Sequence, residues 1–351
     1  MRSIVVSPLN PDLLGHAADD AWPTVSIIMP TLNAAALLEN CLQSIIGQTY
    51  PRDRYEILLA DGGSKDGTQD IGNFFGAIVI DDPASKNMEE SKRVALGQAK
   101  GEFILFVDAD NELTHPDYLE LAVKSLAANP QALGVEGNYP PSPKMTSLCA
   151  YLTHHLHISD PLCWLLAVNP LLVSRTGEVE RWTLPEGSYA YPLGANGFLF
   201  RKADLDAVKA DEKFQDTHVA MFLMRAGKRE WLRICNRGVH HYYITTLWNF
   251  IQKRRRATVH FLRVQEQMPV NWMKEKPPVP LWLAGVYCVT FIGPLWHTLL
   301  GLIRDRDVRW LWHVPASIAS VLGAAWGVWT YRTRRNDDNL VANLKPPQQL
   351  K

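Results

Sequence analysis

Short apolar runs and amphipathic stretches alternate through the first third of this chain. Val25–Met29 is an apolar run that enters Pro30-Thr31-Leu32-Asn33, and from Ala35 to Gln48 the residues Leu37, Leu38, Cys41, Leu42, Ile45 and Ile46 recur at helical spacing. The pattern predicts a strand, a loop and a helix. A second unit follows: a strand over Tyr55–Ala60, a turn-rich loop Asp61-Gly62-Gly63-Ser64-Lys65-Asp66-Gly67, and a helix from Thr68 to Phe75. Phe103–Asp110 is a third apolar run, and it ends in two carboxylates one residue apart. A βαβα order of this kind predicts a parallel sheet.

The far end of the chain has a different pattern. From Pro277 to Ile303, and again from Trp310 to Tyr331, no Asp, Glu, Lys or Arg occurs. At ~1.5 Å per residue the shorter stretch reaches about 33 Å, against a hydrocarbon core of about 30 Å, so each is long enough to cross a bilayer. Trp282, Trp310, Trp312 and Trp329 fall near the ends, as an aromatic belt requires, while Pro294 and Pro315 predict kinks. Basic residues flank the pair: Lys253, Arg254, Arg255, Arg256, Lys274 and Lys276 before it, Arg332, Arg334 and Arg335 after it. Both flanks are therefore expected on the cytoplasmic side. Arg304, Arg306 and Arg309 in the intervening turn oppose that rule, which leaves a re-entrant hairpin open.

Asp108 and Asp110 are the leading chemical candidates. Ligands of open α/β sheets sit beyond the carboxyl ends of the strands, and two close carboxylates repel unless a divalent cation, bridging to a diphosphate, relieves them. Asp61 closes the second strand, where a carboxylate can accept a ring N–H of uracil or guanine, and Gly63 lets backbone approach a ribose or phosphate. Tight turns alone also explain the glycines.

Taken together, Val-Ser-Ile-Ile-Met-Pro-Thr-Leu-Asn, the Glu56–Thr68 loop and Ala99-Lys100-Gly101-Glu102 leading into Asp-Ala-Asp resemble family 2 of the inverting glycosyltransferases. The resemblance runs from about Val25 to Thr258. It implies a GT-A fold, that is, a Rossmann-like, mostly parallel α/β sheet, and a hexosyltransferase activity. It further implies that Pro30, Thr31, Asn33, Asp61, Ser64 and Asp66 face the nucleoside, with Asp108 and Asp110 on ribose, phosphate and a divalent metal, Mn2+ or Mg2+. Lys92-Arg93 stands where the family more often has Arg-Asn, so either one is a candidate for the donor phosphates. Gly194-Ala195-Asn196-Gly197 resembles the glycine-rich strand beside the acceptor, which brings Asn196 and Gly197 into the binding set. Phe214-Gln215-Asp216 falls where the family places its catalytic carboxylate; a plain helix cap explains Asp216 equally well.

His240-His241-Tyr242-Tyr243 offers a neutral imidazole to complete the metal's coordination, and His241 aligns better with the family's His-Tyr pair. Of the Lys253–Arg256 cluster, Arg255 is the candidate for bidentate diphosphate contact, with a solvated helix face or a lipid headgroup as the alternatives. Arg256 stands where processive synthases of the family carry tryptophan, which argues against processivity.

Composition narrows the rest. The 351 residues hold 36 basic and 36 acidic side chains, so no global field recruits nucleic acid. The five cysteines are scattered and form no close ligand pair, and the first twenty residues lack a basic start followed by an apolar core. We therefore expect a catalytic domain on the cytoplasmic face of the cell inner membrane, with five parts. These are an N-terminal extension (1–22), the glycosyltransferase domain (23–265) with an acceptor-side insertion at about 138–191, a linker (266–276), two transmembrane or re-entrant helices (277–331), and a polar tail (332–351). The expected partners are a nucleotide-sugar donor, UDP-sugar before GDP-sugar, and a lipid-linked acceptor such as a polyprenyl phosphate or a lipid-linked saccharide. A homo-oligomer is left open. Two other classes compete: a catalytically silent nucleotide-binding scaffold of a polysaccharide assembly complex, and a nucleotidyltransferase. The latter lacks its usual glycine-rich basic loop after the first strand.

Overall fold

The computed structural model describes residues 22–85, 87–157, 160–210, 214–267, 275–335 and 337. Most of the expected N-terminal extension, linker and polar tail lies outside these residues. The N-terminal elements form as their pattern predicts, namely β1 (Val25–Thr31), α1 (Ala35–Ile46), β2 (Tyr55–Asp61), α2 (Thr68–Phe74) and β4 (Phe103–Phe106), and the structure adds β3 (Ile78–Asp81) and α3 (Met88–Leu96) between them. Every residue of β1 and β4 is buried, which is why both read as continuous apolar runs rather than alternating ones. β3, β2, β1 and β4 are mutually parallel, with Thr31 beside Asp61 and Asp61 beside Asp81 in register. Three loops thus leave one edge of the sheet together.

Beyond β4 the sheet becomes mixed. β5 (Asn111–Leu113), α4 (Tyr118–Ala127), β6 (Val135–Asn138), β7 (Leu171–Thr176), β8 (Val179–Thr183), β9 (Phe198–Arg201), α7 (Lys202–Ala207), α8 (Asp216–Arg225) and β10 (Glu230–His241) complete the order β3-β2-β1-β4-β9-β6-β10-β8-β7, with β5 on β10. β9 runs antiparallel between β4 and β6, and β10 is parallel to β6. The stretch at about 138–191 holds α5 (Ser147–Ala150), a π-helical turn at Tyr151–His155, α6 (Pro161–Leu166) and the β7–β8 hairpin. That hairpin has the turn Gly177 at φ +57, and it extends the sheet at its outer edge.

The C-terminal pattern resolves into four helical pieces. The first apolar stretch is two helices, α10 (Leu281–Val289) and α11 (Ile292–Asp305), that meet at 76°. One continuous helical stretch, Val308–Thr333, is long and apolar enough to cross a bilayer; its main part is α12 (His313–Thr333). α12 lies along α9 (Leu247–Gln267), the helix that carries the basic cluster. Gly323 and Gly327 permit this approach, because a Cβ at Gly323 would fall 2.6 Å from the Arg254 Cβ and one at Gly327 2.6 Å from the Thr258 Cβ. Small residues four apart let helices pack backbone to backbone. Buried polar ties add to the packing: Asp160 caps α6, pairs with Arg254 Nε at 2.9 Å and accepts from Ser320 Oγ at 2.8 Å.

A second buried charge group joins β6 to β10. Glu136 accepts from Arg233 Nε at 2.9 Å and lies 3.1 Å from His157 Nε2. Burial pushes the Glu136 carboxyl up, but Arg233 and His157 outweigh it and bring it from 4.5 down to about 2.

Two predictions follow from this packing. Gly323→Leu should lower stability by about 1–3 kcal/mol through overpacking, read as a fall in the thermal midpoint, whereas the same change at the open Gly285 should not. Because the Glu136 pKa is depressed in the fold, its contribution is present above about 4.5 and lost as pH falls toward about 2. The stability gap between wild type and Glu136→Gln should therefore narrow across that window, as followed by denaturant unfolding at a series of pH values.

Candidate active site

The loops after β1 and β2 are laced together by their own side chains. Asn33, at φ +51, donates its N–H to Ser64 Oγ at 2.7 Å, and its Oδ1 accepts from the Lys65 N–H at 3.0 Å. Asp66 accepts from the Ala35 N–H at 3.1 Å and from Thr68 Oγ1 at 2.5 Å. Gly63 sits at φ +87 with its missing Cβ 3.3 Å from the ring of Pro83, so a larger residue there is strained. Pro30 and Thr31 are buried within β1 rather than turned to solvent.

Asp61 is the knot of this cradle. Wholly buried, it accepts from Thr31 Oγ1 at 2.9 Å, Ser64 Oγ at 2.5 Å, the Ser64 N–H at 2.8 Å and Gln69 Nε2 at 2.7 Å. Burial raises its pKa, but the hydrogen bonds from Gln69, Ser64 and Thr31 more than offset this and leave it below the ordinary carboxylate range. Four donors fill a carboxylate. The expected contact to a base N–H is thus already taken by the protein in this structure.

The acidic pair lies just past β4, where the Val107 N–H still bonds to the Ile28 carbonyl at 3.1 Å. Lys92, from α3 and only 1% exposed, places its Nζ 3.2 Å from Asp108 Oδ1. Asn196 Oδ1 accepts from the Asp108 N–H at 3.1 Å, and the Gly197 N–H donates to the Phe106 carbonyl at 2.8 Å, so the glycine-rich loop holds the acidic turn from the other side. For Asp108, burial works upward while Lys92 and Asn196 work downward and prevail. For Asp110, burial and the charge of Asp108 prevail over Lys253 and raise it to about 6. His241 is held neutral, at about 3, by burial and by the positive charges of Lys253 and Lys92.

Several expectations gain or lose ground here. Of Lys92 and Arg93, Lys92 is the one that meets Asp108. Arg255, expected at the diphosphate, lies instead 4.0 Å over the ring of Trp326 and donates to Thr330 Oγ1 at 2.9 Å. The basic residue of α9 that faces the acidic pair is Lys253, which donates to the Tyr243 carbonyl at 3.1 Å, lies 3.8 Å over the Tyr243 ring and is coupled by charge to Asp110 and Asp108. Two residues along a helix turn the side chain by about 200°, so one helix cannot aim both residues the same way. Which of four consecutive basic residues points inward depends on how α9 packs, and no local signal in the sequence reports that. Asp216 is the first residue of α8, as its helical context predicts; its side chain lies outside the described atoms.

A cation site of Asp108, Asp110 and His241 is not assembled. Among the described residues, no group of three or more His, Cys, Asp or Glu side chains is gathered to hold a metal ion. The donor chemistry still fits one, because Mg2+ and Mn2+ are commonly held by one or two carboxylates together with substrate phosphates. Asn111, beside this pair, is buried with neither side-chain polar atom hydrogen-bonded.

Residues 26–146 match the Glycosyl transferase family 2 model. This chain carries a family 2 glycosyltransferase domain. The matched stretch holds β1 to β6, the laced loops and the acidic pair. Among curated relatives, glycosyltransferase AglE of Haloferax volcanii is 32% identical over 127 residues, 34% of this chain and 41% of that protein. A PGL/p-HBAD biosynthesis glycosyltransferase of Mycobacterium bovis is 38% identical over 104 residues, 28% of this chain and 40% of the relative. Each match thus spans about two fifths of the relative. The mannosyltransferase PcManGT of Pyrobaculum calidifontis, solved with GDP-Man and Mn2+, superposes with a TM-score of 0.51 at 17% identity over 88% of both chains. That likeness establishes the GT-A fold of the family 2 domain beyond the matched stretch.

Lys92→Met should cost about 3–5 kcal/mol of stability by stranding the buried Asp108 charge. Arg255→Met should cost much less, since Arg255 meets a ring and a hydroxyl of α12 rather than a carboxylate whose charge would be stranded; paired denaturant titrations compare the two.

Proposed function

We propose that this protein is an inverting glycosyltransferase that moves a sugar from a nucleotide-sugar donor, a UDP-sugar before a GDP-sugar, to a lipid-linked acceptor at a membrane. The observation that carries the reading is the convergence at one sheet edge of the Asp61-centred loops with Asp108, Asp110, Lys92, His241 and Lys253. This is an acidic pair flanked by fixed positive charge and a neutral imidazole, the composition needed to accept a diphosphate together with its cation. Asp108 and Asp110, with His241 beside them, would hold Mn2+ or Mg2+, which supplies neutralisation of the charge that develops on the departing diphosphate.

The chain's own residues account for the remaining work. Lys92 keeps Asp108 ionised, Asn196 fixes the Asp108 backbone, and Lys253 adds a cation on the side of α9. Asp216, at the start of α8, takes the acceptor proton if the acceptor is a hydroxyl, where the helix N-terminus favours its ionised form. If the acceptor is a phosphate, no proton need be removed. The apolar C-terminal helices support a membrane-associated domain, and the reading puts it at the cytoplasmic face of the cell inner membrane, on the side where it would meet lipid-linked saccharides or polyprenyl phosphates.

Asp110→Ala should abolish sugar transfer, with the thermal midpoint retained; unchanged turnover would remove the metal assignment. Incubation of the purified protein with UDP- and GDP-sugars, divalent metal and lipid extract should give donor-dependent stabilisation and transfer to lipid. Stabilisation without transfer to any acceptor would favour a silent scaffold.

A further inference from the structure

α11 presents a single exposed apolar face: Ile292, Leu295, Trp296, Leu299, Leu300 and Ile303 are each at least 43% exposed and follow the i, i+3, i+4, i+7, i+8, i+11 pattern. Its other face, Pro294, Thr298 and Gly301, is buried. α10 does the same with Trp282, Val286 and Val289 outward and Ala284 and Cys288 inward, and Phe291 at the bend is 58% exposed. No charged residue occurs from 277 to 303, while the exposed Lys276 precedes the pair and Arg304 and Arg306 follow it.

Three observations bear on how such a face meets a bilayer. At ~1.5 Å per residue α10 and α11 reach about 14 and 21 Å, and they turn by 76° between them, so neither spans a core of about 30 Å. The turn after α11 is fastened to the catalytic domain. His155 Nε2 lies 2.9 Å from Asp307 Oδ2, Trp310 is buried against Tyr151 and His155, and Trp312 Nε1 donates to Ser147 Oγ at 3.1 Å. A turn held by the domain stays on the domain's side of a membrane. Finally, no residue from His313 to Val321 in α12 is exposed, and the helix runs beside the basic α9, so its first half is interior protein rather than a lipid-facing span.

We propose that α10, α11 and the Val308–Leu311 turn form a monotopic docking face that enters one leaflet of an anionic phospholipid bilayer, and that no part of residues 277–333 crosses it. Val308 and Leu311, 72% and 61% exposed, extend the apolar face beyond α11, and the basic residues at either end of the helix pair reach the headgroups. The inference refines the membrane placement proposed above, but it does not depend on the identity of the donor or the acceptor.

The test uses the purified full chain, added from outside to sealed vesicles of phosphatidylcholine with phosphatidylglycerol. The protein should float with the vesicles, and Trp296→Glu together with Ile303→Glu should weaken binding at least tenfold. In a background without the native cysteines, a membrane-impermeant maleimide should label Arg306→Cys as fast as Ser174→Cys, which lies on the exposed β7. If that background does not fold, trypsin cleavage of the vesicle-bound wild-type chain after Arg306 gives the same reading. Protection of Arg306 with Ser174 still labelled overturns the proposal in favour of a crossing. Failure to float, with the wild type self-associating through this face in light scattering, overturns it in favour of a second copy of the chain. Donor-induced thermal stabilisation, measured on the same samples, should be unchanged in the double variant; its absence from every sample would defeat the donor reading and leave the docking result standing.

Discussion

Two negative charges brought to the end of a buried strand set the terms for the rest of this molecule. Asp108 and Asp110 sit where water is scarce, and each would lose its charge without cations close by. The fold supplies them from elements far apart in sequence: Lys92 from α3 before the strand and Lys253 from α9 well after the sheet is complete. Asn196, from a third region, fixes the turn that carries the pair. The outer half of the sheet and the C-terminal helices therefore belong to the electrostatics of the donor half. A domain cut after β6 would keep the family match and lose Asn196, His241 and Lys253.

The same dependence explains what could be read from the sequence and what could not. β1, β2 and β4 were legible because buried parallel strands are unbroken apolar runs, and α1 because its buried stripe repeats with helical period. The loop residues Thr31, Asn33, Asp61, Ser64 and Asp66 do lie together, and the structure uses much of their polar capacity to bind one loop to the other. His241 was preferred over its neighbour, and it is His241 whose titration feels Asp108, while His240 bonds to the Pro140 carbonyl. Missed were features set by contacts distant in sequence: the inward phase of α9 that selects Lys253 over Arg255, and the β7–β8 hairpin, whose short strands carried too little periodicity to stand out from an apolar stretch.

The C-terminal region shows the limit of composition as evidence. Charge-free length described residues 277–303 and 310–331 equally well, yet the first is sharply bent and outward-facing while much of the second is packed among Asp160, Arg254 and α9. What distinguishes them is the placement of small residues. Gly323 and Gly327 let α12 lie against a helix rich in arginine, whereas α11 turns its bulky side chains away from the protein. The awkward arginines of the intervening turn then have a local explanation, since Asp305 and Asp307 pair with Arg304 and Arg309.

The saturation of Asp61 has a thermodynamic corollary. A nucleobase that engages this carboxylate must evict a resident donor, with Gln69 the least encumbered by backbone geometry, so recognition there is an exchange of one hydrogen bond for another. Exchanges of this kind yield little net enthalpy, and selectivity then rests on the shape and stacking of the incoming ring rather than on the strength of the polar contact.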